Sequence, residues 1–333
     1  MPRDFVSVAR NDPETRIEIR YSSAASQMYM NLLRFNADDV SPDTKKYIFD
    51  IAKQFGCYGK FYKGKHAKKI IAIIAPELAS GYYASFVEQL QKLIEAQNCI
   101  VIVSADHFNV QKQAELVEYF TSYLKVDGII VFDMRCRWKK GYNTPIVSLF
   151  STADASVDNI RIDSKPAIFE AVQLLKDYGH KEIAFIGEHL TTDKSKSFRD
   201  AMESVGLNCP YVIESQYRFE KAGVDGVGQL LEREADCTAI ICAYDNIALG
   251  AIKELKMQGY RIPEDFSIIG MNNISVAPYM ETSLSSIGVN ADEVCMIAWD
   301  LLSKKIHNNF YRSSQQITLQ GRLIVRESVG RVG

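Results

Sequence analysis

At 333 residues, with 47% hydrophobic and 24% charged content, the chain is long enough for two or three domains and has the make-up of an ordinary globular protein. No run approaches a membrane span, and the opening Met1, Pro2, Arg3, Asp4, Phe5 lacks the apolar stretch of an export signal, so a cytoplasmic protein is expected. The formal charge of −2 conceals an asymmetry: residues 1–69 hold 13 Lys+Arg against 8 Asp+Glu, the remainder 26 against 33.

A basic N-terminal segment on an acidic body fits nucleic-acid binding, because phosphate contacts release counterions; a solvated lysine-rich linker fits equally well. Cys57, Cys99, Cys136, Cys209, Cys237, Cys242 and Cys295 form no C-x-x-C pair. They read as reduced core thiols, with no metal site.

Three short helices are expected in the first 58 residues. Asp12-Pro-Glu-Thr15 is a start signal ahead of Ile17 and Ile19, and residues 24–35 follow Ser22 and Ser23 as candidate caps. Ser41-Pro-Asp-Thr44 supplies an N-cap Ser, Pro at the first helical position and an acid in the first turn. The stripe Tyr47, Ile48, Ile51, Ala52, Phe55 then runs to Gly56. That is the size of a helix-turn-helix headpiece. Residues 59–69 carry Lys60, Lys63, Lys65, Lys68 and Lys69 with no acid, a basic linker.

From Ile70 strands and helices alternate. Residues 70–75 are uninterrupted apolar, as in a strand buried on both faces. A helical stripe over 83–95 follows, then strand 100–104, helix 111–124, strand 126–132 and short strands at 146–149 and 159–162. The series restarts with helix 165–178, strand 182–187, helix 193–205, strand 211–214 and helix 221–235. The apolar run from Thr238 leads into a helix begun by Asp245, a turn at Gly259 and a strand at 266–270, one further β-α-β unit. Two such sets predict doubly wound parallel sheets in two lobes, with a ligand cleft between them. No G-x-G-x-x-G, P-loop, H-E-x-x-H or G-x-S-x-G motif occurs, so neither an enzyme nor a cofactor is expected.

A series of stretches, in order, resembles the lactose-repressor family of bacterial transcription regulators. They are Val126-Asp-Gly-Ile-Ile130, Tyr178-Gly-His-Lys-Glu-Ile-Ala-Phe-Ile-Gly187, Ala243-Tyr-Asp-Asn-Ile-Ala-Leu-Gly250 and Arg261-Ile-Pro-Glu-Asp265 with Ser267-Ile-Ile-Gly270. Leu284-Ser-Ser-Ile287 and Leu323-Ile-Val-Arg-Glu-Ser328 complete it. The resemblance implies an α/β fold with a two-lobed core like periplasmic binding proteins and a small all-α helix-turn-helix domain. The domains would be 1–58 (headpiece), 59–69 (hinge), 70–175 plus 290–320 (N-terminal lobe) and 176–289 plus 321–333 (C-terminal lobe). It further implies a homodimeric regulator, expected to repress, that binds operator DNA and responds to a small effector, a sugar or sugar phosphate. The alternative is a solute-binding protein of the periplasmic type with no DNA-binding role.

By the same resemblance, Ser26, Gln27 and Asn31 stand where members contact base edges, and a Gln amide can bond an adenine in bidentate fashion. Lys60, Lys63 and Lys65 would meet phosphates without reading sequence. The headpiece departs from the family at Glu18, where an apolar residue is expected, and the Gly-interrupted linker offers Phe61 or Tyr62 as a minor-groove wedge. In the cleft, Tyr82 and Tyr83 match aromatic residues that face ligand, with core packing equally open. Asp163 matches an acid that accepts ligand hydroxyls or caps a helix. Lys194 stands in place of Arg, Tyr244 in place of Asn, and Asn272 in place of an Asp. Asp245 is expected to cap its helix and not to touch ligand.

Overall fold

The computed structural model describes residues 68–137, 144–307 and 313–332, with the isolated positions Ser41, Asp43, Lys46 and Asp50. Asp43, Lys46 and Asp50 are helical, within the third expected headpiece helix; the first two helices, the base-contact candidates Ser26, Gln27 and Asn31, and the linker residues Lys60, Lys63 and Lys65 lie outside the described residues. The chain divides into two compact units between Lys69 and Ile70, and the second carries the α/β body.

The first sheet holds β1 (Ile70–Ala75), β2 (Ile100–Ala105), β3 (Gly128–Met134), β4 (Ile146–Thr152), β5 (Asp158–Asp163) and β11 (Gln316–Gln320), in the order β11-β5-β4-β3-β1-β2. All its pairings are parallel. The second holds β6 (Ile183–Glu188), β7 (Val212–Ser215), β8 (Ala239–Cys242), β9 (Ser267–Met271), β10 (Ser285–Gly288) and β12 (Arg322–Ile324), in the order β12-β10-β9-β8-β6-β7. Only the β10–β12 pair in it is antiparallel.

Helices on both faces explain the unbroken apolar strands. Ile71, Ile73 and Ala75 of β1 pack with Phe86, Leu90 and Ile94 of α1 (Gly81–Ala96) and with Val294, Ala298 and Leu302 of α7 (Ala291–His307). Ala72 and Ile74, on the opposite face, meet Val117 of α2 (Val110–Glu118) and Phe120 just beyond it. The helix expected over 111–124 keeps its α form only to Glu118 and continues as a π-turn, Tyr119–Tyr123. There the Thr121 hydroxyl donates to the Val117 carbonyl at 2.8 Å, a local competitor to the helical ladder.

The second sheet is covered by α3 (Lys165–Asp177), α4 (Thr192–Ser204), α5 (Glu220–Glu232) and α6 (Asp245–Met257). Ala167, Ile168, Ala171, Val172 and Leu175 of α3 belong to this core. The lobe boundary expected at 175 therefore falls at Ser164: α3 is amphipathic and its apolar stripe finds the second sheet. Helices α5 and α6 touch backbone to backbone. A Cβ on Gly250 would run into the Glu220 carbonyl, and one on Gly223 into that of Ile247, so both positions need glycine. The chain passes between the lobes near Ser164, Val289 and Gly321. The Gly321 amide donates to the Asp163 carbonyl at 2.9 Å, tying two of these crossings together.

Candidate ligand-binding cleft

Parallel α/β sheets leave their crevice at the carboxyl ends of the strands, where the strand order reverses. Here both sheets direct those ends at one cavity of about 570 Å³, within the range of small-ligand sites. Glu77, Ser80, Tyr82 and Tyr83 follow β1; Asp133 and Arg135 end β3; Phe150 and Ser151 end β4. From the other lobe come Lys194 of α4, Arg218 and Phe219 after β7, Tyr244 after β8 and Asn272 after β9.

Five of the six cleft residues expected from sequence line this cavity: Tyr82, Tyr83, Lys194, Tyr244 and Asn272. Asp163 does not. It borders a neighbouring cavity, and its carboxylate accepts the Lys165 amide at 3.0 Å, capping the start of α3. Of the two roles the resemblance left open for Asp163, ligand contact and helix capping, the contact seen is the capping one.

The tyrosines serve the core and the cleft together. Tyr82 stacks on Phe150, ring centres 5.5 Å apart, and meets Phe86 edge to face at 5.2 Å. Tyr83 packs on Phe132 while its hydroxyl donates to Asp133 Oδ2 at 3.2 Å. Burial, then the charge of Asp133, pushes both hydroxyls well above the usual tyrosine range. Asp133 also accepts the Ser151 hydroxyl at 2.9 Å, yet burial still holds its pKa above the usual carboxylate range.

Arg135 lies between Asp106 (3.7 Å) and Asp133 (3.9 Å). It is positioned from below by Gln113, whose side-chain carbonyl accepts the Arg135 amide at 2.7 Å and whose amide donates to Asp106 at 2.6 Å. Arg218 crosses the gap between lobes: it bonds Glu188 of its own lobe and Glu77 of the other, each at 3.3 Å. Its guanidinium lies 5.0 Å from the ring centre of Phe108, whose other near cation is Arg135 at 5.2 Å. Lys194 is buried. Its ammonium donates to the Ala243 carbonyl at 2.8 Å and sits 4.4 Å from the Tyr244 ring centre. Burial brings its pKa down to about 8 against the opposing pull of Asp245 and Glu188.

Asp245 departs from its expected capping role. One carboxylate oxygen accepts the Ser286 hydroxyl at 2.6 Å and the other the Ile274 amide at 2.7 Å. It thus fixes the loop that carries Asn272, whose φ of 102° lies in the left-handed region. Burial raises its pKa to about 6 despite those two hydrogen bonds and Lys194.

Sequence reading missed Glu77, Asp133, Arg135 and Arg218. No motif marks them; the available signal was position, since each ends or follows a strand of a parallel sheet. Among the described residues, Glu77 Oε1, Ser80 Oγ, Arg135 Nη1 and Glu188 Oε2 are buried without a hydrogen-bond partner. Buried polar atoms are rarely left so, and three of these four belong to residues lining the cavity. The arrangement offers acceptors, guanidinium donors and aromatic faces to a polar ligand. No group of three or more His, Cys, Asp or Glu side chains is placed to hold a metal among the described residues.

Fold and cleft together define a two-lobed ligand-binding core of the periplasmic-binding-protein type. The family described as periplasmic binding protein-like domain matches residues 172–329. Catabolite control protein A of Priestia megaterium is 27% identical, covering 87% of this chain and 91% of its own length. The transcriptional repressor CytR of Escherichia coli K12 is 24% identical over 94% of this chain and 96% of its own. A LacI family transcriptional regulator from Enterococcus faecium, solved with bound ribose, shares the fold with a TM-score of 0.70 at 21% identity, over 80% of this chain and 100% of that one. Over most of its length the chain is thus similar to transcriptional regulators of this kind.

Proposed function

We propose that this chain is a ligand-responsive transcriptional regulator, acting as a repressor, that binds operator DNA as a homodimer and takes a carbohydrate in the cleft between its lobes. The observation that carries the reading is the cavity itself, where two lobes bring unpaired buried polar atoms and aromatic rings to one ligand-sized space. The regulator from Enterococcus faecium holds ribose on the same fold. Residues 1–58 would form the headpiece, with Ser26, Gln27 and Asn31 facing bases, and Lys60, Lys63 and Lys65 of the 59–69 linker meeting phosphates. A protein working on operator DNA acts in the cytoplasm. Among the described residues no helix is long and apolar enough to cross a membrane.

The cleft residues divide the work. Tyr82 and Tyr244 offer aromatic faces, Asp133 and Asn272 pair with hydroxyls, and Lys194 donates from the second lobe. A ligand bonded to both lobes favours one lobe arrangement over another, and it shifts operator affinity by the same coupling free energy with which DNA shifts ligand affinity. A solute-binding protein would share the two lobes. The match to CytR covers 94% of this chain, however, so it extends well into the first 69 residues, outside the lobes.

Thermal-shift screening of the full chain against sugars tests the reading. A sugar at 100 times its Kd adds about 2.7 kcal/mol of stability. A Tyr82→Ala variant that folds yet loses the response would locate the sugar in the cleft, whereas an unchanged response would place it elsewhere.

A further inference from the structure

The end of the cleft around Glu77 is distinguished by its charge. Two guanidiniums, Arg135 and Arg218, are shared among four carboxylates, those of Asp106, Asp133, Glu77 and Glu188. Lys194 is the third cation near the cavity, and its ammonium already donates to the Ala243 carbonyl. This cluster has no surplus of positive charge.

Unpartnered polar atoms lie at the same end of the cleft. Ser80 is 6% exposed and its Oγ has no partner, Glu77 Oε1 has none, and both residues line the cavity. The carboxylate oxygen calls for a donor from the ligand, and the Ser80 hydroxyl can accept one or donate in turn. The unpartnered nitrogen at this end, Arg135 Nη1, lies 3.7 Å from Asp106, which already balances its charge. A sugar hydroxyl can donate to Glu77 or Ser80 and accept from Arg135. A phosphate monoester brings a charge of about −1.5 to −2 and acceptor oxygens almost alone. It would face Glu77, whose cation Arg218 is already shared with Glu188.

We propose that Glu77, Ser80 and Arg218 form a hydroxyl-accepting subsite, so that the effector is an unphosphorylated sugar and phosphate esters of the same sugar are rejected. This rests on the carbohydrate reading above and narrows it. Arg218 is the positioning residue: bonded to Glu188 within its own lobe, it holds the Glu77 carboxylate from across the cleft and leaves Oε1 for the ligand.

Isothermal titration of the full chain with ribose, glucose, galactose and lactose, each beside its 5- or 6-phosphate, tests the proposal. Whichever free sugar binds should do so at least about ten-fold more tightly than its ester. Glu77→Gln should weaken the free sugar by roughly five-fold, the worth of one ordinary hydrogen bond, and shrink the preference over the ester by removing the repelling charge. Ser80→Ala, a smaller change, should weaken the free sugar alone and covers the case of a Glu77 variant that fails to fold. An ester that binds as tightly as its sugar overturns the subsite while leaving the carbohydrate reading intact, and so do variants that leave both affinities unchanged. Silence from every sugar and every ester removes the carbohydrate reading and the subsite together.

Discussion

Replacing Arg218 by Met isolates the contact that joins the two lobes across the cleft. The side chain is 32% exposed, but its partners Glu77 and Glu188 are 13% and 0% exposed. Methionine keeps much of the aliphatic length and removes the charge. It leaves the Glu188 carboxylate with neither oxygen bonded, since Oε2 already lacks a partner and Oε1 relies on Arg218. Stripping one partner from a fully buried pair costs about 3–5 kcal/mol. Partial exposure of Arg218 screens some of this, so a loss of about 2–3 kcal/mol is expected, with a fall in Tm of about 4–12 °C. Urea unfolding of the full chain followed by circular dichroism gives the number. The double variant Arg218→Met with Glu188→Gln should recover about 1 kcal/mol or more over the single change, because the fully buried side chain at 188 is then uncharged. A single variant within about 0.5 kcal/mol of the parent, or a double variant less stable than the single, would refute the reasoning.

Three further outcomes follow from the packing and the titrations. Gly250→Ala forces α5 and α6 apart at the Glu220 carbonyl and should cost at least about 1–3 kcal/mol by thermal denaturation, whereas Gly228→Ala, with open space around it, should not destabilise. Lys194 is held down to about 8, so the folded chain releases this proton before the unfolded chain does, and stability relative to Lys194→Met should rise with pH from about 8 toward 10.4. Asp245 has the opposite sense: raised to about 6, it favours folding while protonated, and stability relative to Asp245→Asn should fall as pH rises from about 3.9 through 6. Tm profiles of each pair across pH check both signs.

What could be read from the sequence divides along a physical line. The stretches that carried the family resemblance are scaffold. Asp127 of Val126-Asp-Gly accepts the Ile70 amide at 2.8 Å, and Gly128 makes room for α7, whose Ile306 would lie 2.9 Å from an added Cβ. His180 bonds Thr238 at 2.8 Å and the Gly330 carbonyl at 3.0 Å. Ser328 donates to the Ile268 carbonyl at 2.6 Å, pinning the closing segment beside β9. Such residues answer to backbone geometry, and so they were legible from pattern and spacing. Helix α7 and strand β11, which complete the first lobe, were not read as elements: α7 begins after an irregular crossing, and β11 alternates strictly but over only five residues.

The cleft was half legible. Tyr82, Tyr83, Lys194, Tyr244 and Asn272 could be carried over because each stands at a fixed offset from a recognisable strand. Arg218 and Glu77 could not, because they meet across 141 residues and across the gap between lobes. Only the tertiary arrangement reveals a pair of that kind. Asp163 shows the converse failure, where the right offset yields an oxygen that the first turn of α3 takes for itself.

The central claim is that a sugar in this cleft governs operator affinity, and an anisotropy titration tests it most directly. A duplex selected from a random library by the full chain would be titrated at two salt concentrations, with and without the sugar found by thermal shift. The account predicts an inverted-repeat sequence whose binding weakens steeply with salt, and whose affinity the sugar changes in the parent protein but not in Tyr82→Ala. Equal, weak binding to every duplex, or an operator affinity indifferent to a sugar known to occupy the cleft, would contradict it.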